Sequence, residues 1–116
     1  MYDVVMVDAG RVLDAVGEPN RRLLLELLHQ QQETTVSQLV HASGLNQPQV
    51  SKHLKVLASA HLVSVRAAGR HRHYRLDGAG LQVAHDWFGS FDDVWQARFD
   101  TLDALVSADT ESSPTT

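Results

Sequence analysis

The sequence predicts a mainly α-helical domain with a small β-hairpin, arranged as a winged helix-turn-helix. Three observations lead there. Apolar residues recur at helical spacing through most of the chain. That spacing gives way to strict alternation over "LVSVRAAGRHRHYRL". Finally, the two helical patterns before the alternating stretch are separated by no more than "SGLN". Helical periodicity places side chains on one stripe and a period of two places them on alternate faces, so the change marks a change of element.

The elements follow from local chemistry. From Asp3 to Val16 the apolar residues fall at 4, 5, 7, 12, 13 and 16, a helical pattern, although "VVMV" by itself suits a strand. "GEP" at 17 to 19 interrupts it, and Pro19 suits a first helical position, where a missing amide proton costs nothing. "NRRLLLELLHQQQ" then sets Leu23, Leu24, Leu27 and Leu28 on one stripe. After "QQQETT", a short helix is expected from Val36 to Ser43, with Gly44 as its left-handed stop. Asn46 is a favoured N-cap for a further helix reaching about Ala60.

On a helical wheel of this last segment, Val50, Leu54 and Leu57 lie within about 60° of one another, whereas Pro48, Ser51, Lys52, Lys55 and Ser59 take the opposite arc. One side is core and the other faces outward. In the hairpin that follows, Val63 and Val65 alternate with polar residues, a turn falls near "AAGR", and Tyr74 and Leu76 alternate with His73 and Arg75. From about Leu81 to Val106, Phe88, Phe91, Trp95, Phe99, Leu102 and Val106 form a heptad-like seam that Gly89-Ser90 can break or bend. Residues 1–106 are thus expected to be one domain. "SADTESSPTT", at 107–116, has too little apolar surface to fold and is expected to be a disordered tail.

The formal net charge of −4 conceals a segregation. Between Thr34 and Leu76 there is no Asp or Glu, whereas Lys52, Lys55, Arg66, Arg70, Arg72 and Arg75 contribute +6; the rest of the chain carries −10. Local fields govern which partner approaches, so this segment suits a polyanion while the acidic remainder limits non-specific association. With no cysteine, disulfides, thiolate metal sites and cysteine nucleophiles are excluded. No apolar run approaches the roughly 18 residues of a membrane span, and the acids near the start do not fit a signal peptide, so a soluble, cytoplasmic protein is expected.

Catalysis finds no constellation. Ser51 and His53 lie two apart on a helix, about 200° from each other, and cannot share a proton. No glycine-rich phosphate loop is present. His71 and His73 make an HxH pair beside arginines that would repel a metal cation. His85, Asp86, Asp92 and Asp93 lack a suitably spaced second histidine. No cofactor is expected, although a ligand- or metal-responsive sensor using histidines, or a winged-helix module that docks an acidic protein, are alternatives.

"LNQPQVSKHLKVLASAHLVSVRAAGRHRHYRLD" resembles the recognition helix and wing of the ArsR-type (ArsR/SmtB-like) bacterial repressors, whose members commonly read Leu-Ser-Gln-Pro-x-Val-Ser-x-His-Leu-Lys-x-Leu, then a Gly-Arg wing ending in Tyr-x-Leu. "LDAVGEPNRRLLLELL" is similar to that family's approach to its second helix, so the likeness runs from about Val12 to Asp77. "DWFGSFDDVWQARFDTLDAL" resembles C-terminal helices of non-metal branches. Metal-binding members place cysteines on the short helix, where this chain has "TVSQLVH", which points to a non-cysteine branch.

The resemblance implies a homodimer built by the first and last helices, with Val5, Val12, Phe88, Phe91, Trp95, Phe99 and Leu102 at the interface. It also implies a recognition helix from each protomer in successive major grooves of double-stranded DNA. Gln47, Ser51 and Lys52 are then expected to contact the groove, with Pro48, Gln49 and His53 beside them and Lys55 on the same surface. Short polar side chains on the first turns of a helix reach base edges, Gln pairing with adenine and Lys with guanine. Arg66, Arg70 and Arg72 of the wing are expected to meet phosphates or the minor groove. A homodimeric repressor of an inverted-repeat operator, released by an unknown small-molecule effector if by any, is the implied function.

Overall fold

The computed structural model describes residues 6–112, with side chains through residue 107. The elements in chain order are α1 (Ala9–Val16), α2 (Pro19–Gln31), β1 (Thr34–Thr35), α3 (Val36–Ser43), α4 (Gln47–Ser59), β2 (Val63–Ala68), β3 (His71–Leu76), α5 (Gly78–Gly89) and α6 (Asp92–Ser112). Two compact units result, Met1–His85 and Asp86–Thr116.

Within the first unit the helix ends are set by side chains. Asp8 caps α1 by accepting from the Gly10 amide at 2.9 Å. The helix expected from Asp3 therefore starts later among the described residues, because a capping aspartate holds its own backbone extended. Glu18 caps α2 in the same way through the Arg21 amide. Arg21 donates to the carbonyls of Asp14 and Ala15 at 3.2 and 2.7 Å, and Arg22 to that of Val16 at 2.8 Å. Two cations thus close the C-terminal end of α1, where unpaired carbonyls concentrate negative charge.

The core forms where the helical stripes meet. Leu24 and Leu28 of α2, Leu39 of α3, Val50, Leu54 and Leu57 of α4, and Leu62 are all essentially inaccessible. Burying a side chain of this size contributes about 1.5 to 3 kcal/mol, so these contacts hold α4 by its apolar face. Val12 belongs to the same cluster at 0% exposure. This corrects its expected place at a dimer interface, because the protomer's own core covers it completely. Val5 lies outside the described residues.

The sheet has the order β1-β3-β2, all antiparallel. Ala68 pairs with His71, leaving Gly69-Arg70 as a two-residue turn with Gly69 at φ 62°. A positive φ at the first central position is the pattern of a type II′ hairpin turn, which a residue without Cβ adopts freely. β1 was not legible in the sequence: two residues cannot display an alternation. Thr34 is nevertheless buried, pairs with Tyr74, and donates from its hydroxyl to Gln38 Oε1 at 2.7 Å.

The second unit contains the end of α5 and α6. The break expected at Gly89-Ser90 falls between α5 and α6, where the Ser90 hydroxyl donates to the Trp87 carbonyl and Trp95 Nε1–H to the Phe88 carbonyl, both at 2.6 Å. α6 continues to Ser112, six residues past the expected domain boundary at 106. No glycine or proline intervenes before Pro114, so nothing local stops the helix.

Candidate nucleic-acid interface

α4 presents the surface that its sequence demands. Asn46 and Gln49 form a capping box: Asn46 Oδ1 accepts from the Gln49 amide at 2.9 Å, and Gln49 Oε1 accepts from the Asn46 amide at 3.0 Å. The box fixes the first turn and points the helix N-terminus, with its partial positive charge, at whatever lies in front of it. Gln47, Pro48, Gln49, Ser51, Lys52 and Lys55 are exposed, while Val50, Leu54 and Leu57 are fully buried. Gln49 therefore has a structural task for its amide oxygen and keeps its NH2 as a donor.

His53 departs from expectation. Its side chain is 13% exposed, its Nδ1 is buried without a hydrogen-bond partner, and the nearest carboxylate oxygen, Glu18 Oε2, stands 3.8 Å away. The imidazole packs between α4 and the start of α2, which removes it from the groove-facing set.

The α3 helix sits in front of α4 and starts with a second capping box, Thr35 with Gln38. Gly44, at φ 76°, ends it and turns the chain into α4. A cleft of about 440 Å³ opens between the start of α3 and the wing tip, lined by Thr35, Ser37 and Gln47 on one side and by Arg70, His71 and Arg72 on the other. Two guanidiniums, an imidazole, a hydroxyl and the amide-rich start of a helix are donors suited to phosphate oxygens. Ser37 was missed by sequence reasoning; its only signal was a place in the first turn of a capped helix.

The wing cations separate into two kinds. Strand register places Arg72 on the face of Val65 and Tyr74, whereas Arg66 shares the opposite face with His73 and Arg75. On that face Arg66 Nε and a terminal nitrogen hold Glu33 Oε1 at 2.9 and 2.8 Å. Its charge is matched within the protein, which corrects its expected role on phosphate. Arg75 Nε lies 3.3 Å from the Ser64 hydroxyl. Arg70 and Arg72 remain exposed at the wing tip. Among the described residues no three histidine, aspartate or glutamate side chains gather as metal ligands, and no helix is long and apolar enough to cross a membrane.

The aromatic seam is open in the single chain. Phe88, Phe91, Trp95, Phe99 and Leu102 are between 41% and 55% exposed, and Val94 and Leu105 extend the same strip at 60% and 62%. A strip this continuous on a helix is what an association surface requires.

Comparison with known proteins agrees with this architecture. Residues 18–65 match the model of the family described as "Bacterial regulatory protein, arsR family". The chain is similar to the transcriptional repressor SdpR of Bacillus subtilis, 29% identical over 71% of this chain and 90% of that protein. A crystal structure of a possible transcriptional regulator for arsenical resistance is 40% identical, covers 84% of this chain and 95% of the other, and superposes with a TM-score of 0.65. The homodimeric winged helix-turn-helix DNA-binding domain Mb0332 of Mycobacterium bovis, a possible ArsR-family regulator, is 30% identical over 86% of this chain and 78% of that one, with a TM-score of 0.57. These proteins are regulators of transcription, not enzymes. The chain belongs to the ArsR family of bacterial regulatory proteins, DNA-binding transcriptional regulators of the winged helix-turn-helix type.

Proposed function

We propose that the chain works in the cytoplasm as a homodimeric repressor that occupies an inverted-repeat operator. Gln47, Ser51 and Lys52 read base edges in the major groove, and Lys55, Arg70 and Arg72 hold phosphates. The observation that carries this reading is the acid-free outer arc of α4 standing beside a cleft whose far wall is Arg70, His71 and Arg72. A helix held by its buried face and displaying short donors along its first turns suits the major groove. The flanking cations suit the phosphates that position it. Dimer formation is supported by the exposed apolar strip of α6 and by the homodimeric state of the Mycobacterium bovis domain.

A footprint on DNA upstream of the protein's own gene tests the proposal. Two protected half-sites about 34 to 36 Å apart, centre to centre, on opposite strands are expected for two recognition helices one helical turn apart. A single unsymmetrical site, or binding that random duplex competes for equally well, would overturn it.

A further inference from the structure

The capping box at the start of α4 gives the two ends of one side chain different tasks. The Asn46 amide donates to Gln49 Oε1 at 3.0 Å, and the Gln49 amide donates to Asn46 Oδ1 at 2.9 Å. Only an acceptor satisfies an N–H, so the amide oxygen is the inward end of Gln49 and the NH2 is the outward one. Both side chains are exposed, and among the described residues no hydrogen bond uses either NH2 group. Gln47 stands outside the box and keeps an oxygen as well as an NH2. Around the Asn46–Gln49 box, the N-terminal tip of α4 is therefore a surface that donates.

Base edges differ in what they offer such a surface. In the major groove guanine presents two acceptors, O6 and N7, adenine one acceptor and one donor, thymine one acceptor beside a methyl group, and cytosine only its N4 donor. The usual two-point contact of glutamine with adenine uses its oxygen and its NH2 together. Gln47 can make that contact, whereas Gln49 has spent its oxygen on Asn46. From this fixed polarity we infer that Gln49 is a specificity-determining residue, which selects guanine and rejects cytosine at one position of each half-site. It is the third residue of α4, within the turns by which a recognition helix reaches base edges. The inference deepens the operator reading above and rests on it, because it needs the start of α4 in the major groove.

Gln49→Glu keeps the box and reverses the outward end. Glutamate is an ordinary capping-box partner at this position, and a carboxylate suits the first turn of a helix, so the urea unfolding midpoint should hold or rise. The outward oxygen now accepts and cannot donate, which suits cytosine N4. The test passes a pool of randomised duplexes over the full-length wild-type protein and over Gln49→Glu, and sequences what each retains. Wild type should enrich an inverted repeat with guanine favoured over cytosine by about 10-fold or more at one position per half-site. Gln49→Glu should invert that preference there and leave the other positions as they were, with lower affinity throughout because its carboxylate is repelled by phosphates. Lower affinity with no change of preference would place the NH2 on a phosphate and overturn the inference. So would a lowered unfolding midpoint in Gln49→Glu, which would show that the box does not hold the oxygen. Wild-type protein that enriches no sequence removes the operator reading and this inference with it, whereas the same repeat enriched by both proteins removes this inference alone.

Discussion

The Arg66–Glu33 pair makes a prediction that separates two arginines the sequence treats alike. Each phosphate that a protein neutralises on B-form DNA contributes about −0.9 to the slope of log K against log salt concentration. Lys55, Arg70 and Arg72 are the exposed cations proposed to hold phosphates, and none has a carboxylate partner among the described residues. A dimer then neutralises about six phosphates, the slope is about −5, and affinity falls by about 10³ between roughly 50 and 200 mM salt. Arg72→Ala removes two contacts per dimer, which flattens the slope to about −4 and reduces the loss over the same interval to about 10². Arg66→Ala should leave the slope at about −5, because its guanidinium already holds Glu33 at 2.8 and 2.9 Å. Glu33→Gln frees Arg66 to join the phosphates and steepens the slope toward about −7. Fluorescence anisotropy with a labelled operator at five or more salt concentrations measures all four proteins. A flattening by Arg66→Ala equal to that by Arg72→Ala, or no change with Arg72→Ala, refutes the division of the wing into matched and unmatched faces.

Three further outcomes are expected. Lys52→Ala should weaken operator binding by about 1 to 3 kcal/mol and relax one base preference; an equal loss on operator and random duplex would place Lys52 on phosphate instead. Gly80→Ala should destabilise the fold by about 1 to 3 kcal/mol in urea unfolding, the usual cost of overpacking. A Cβ there would lie 2.4 Å from the His61 carbonyl oxygen, whereas the control Gly78→Ala meets nothing within 4 Å. Similar unfolding midpoints for the two variants would show that the His61 turn gives way. Phe99→Asp places a charge on the α6 strip and should weaken the dimer by about 2 kcal/mol or more, about 30-fold. Sedimentation showing an unchanged monomer–dimer equilibrium would remove α6 from the interface.

By itself the sequence determined the features that depend on a residue and its near neighbours. Val50, Leu54 and Leu57 define the buried face of α4, Asn46 and Gly44 mark its start and the end of α3, and the change to period two locates the hairpin with its glycine turn. Each is short-range physics, expressed within one or two turns. The acid-free segment from Thr34 to Leu76 was likewise visible, since charge needs no fold to be counted. Tertiary structure alone decided which of those charges remain available and which apolar groups remain exposed. Glu33 and Arg66 stand 33 positions apart and meet because β1 pairs with β3 beside the wing. Glu18 comes within 3.8 Å of His53 because α2 packs on α4, and Val12 vanishes into the core while Phe99 stays on the surface. Periodicity assigns a side chain to a face of its own element; what stands across from that face is settled when the elements pack.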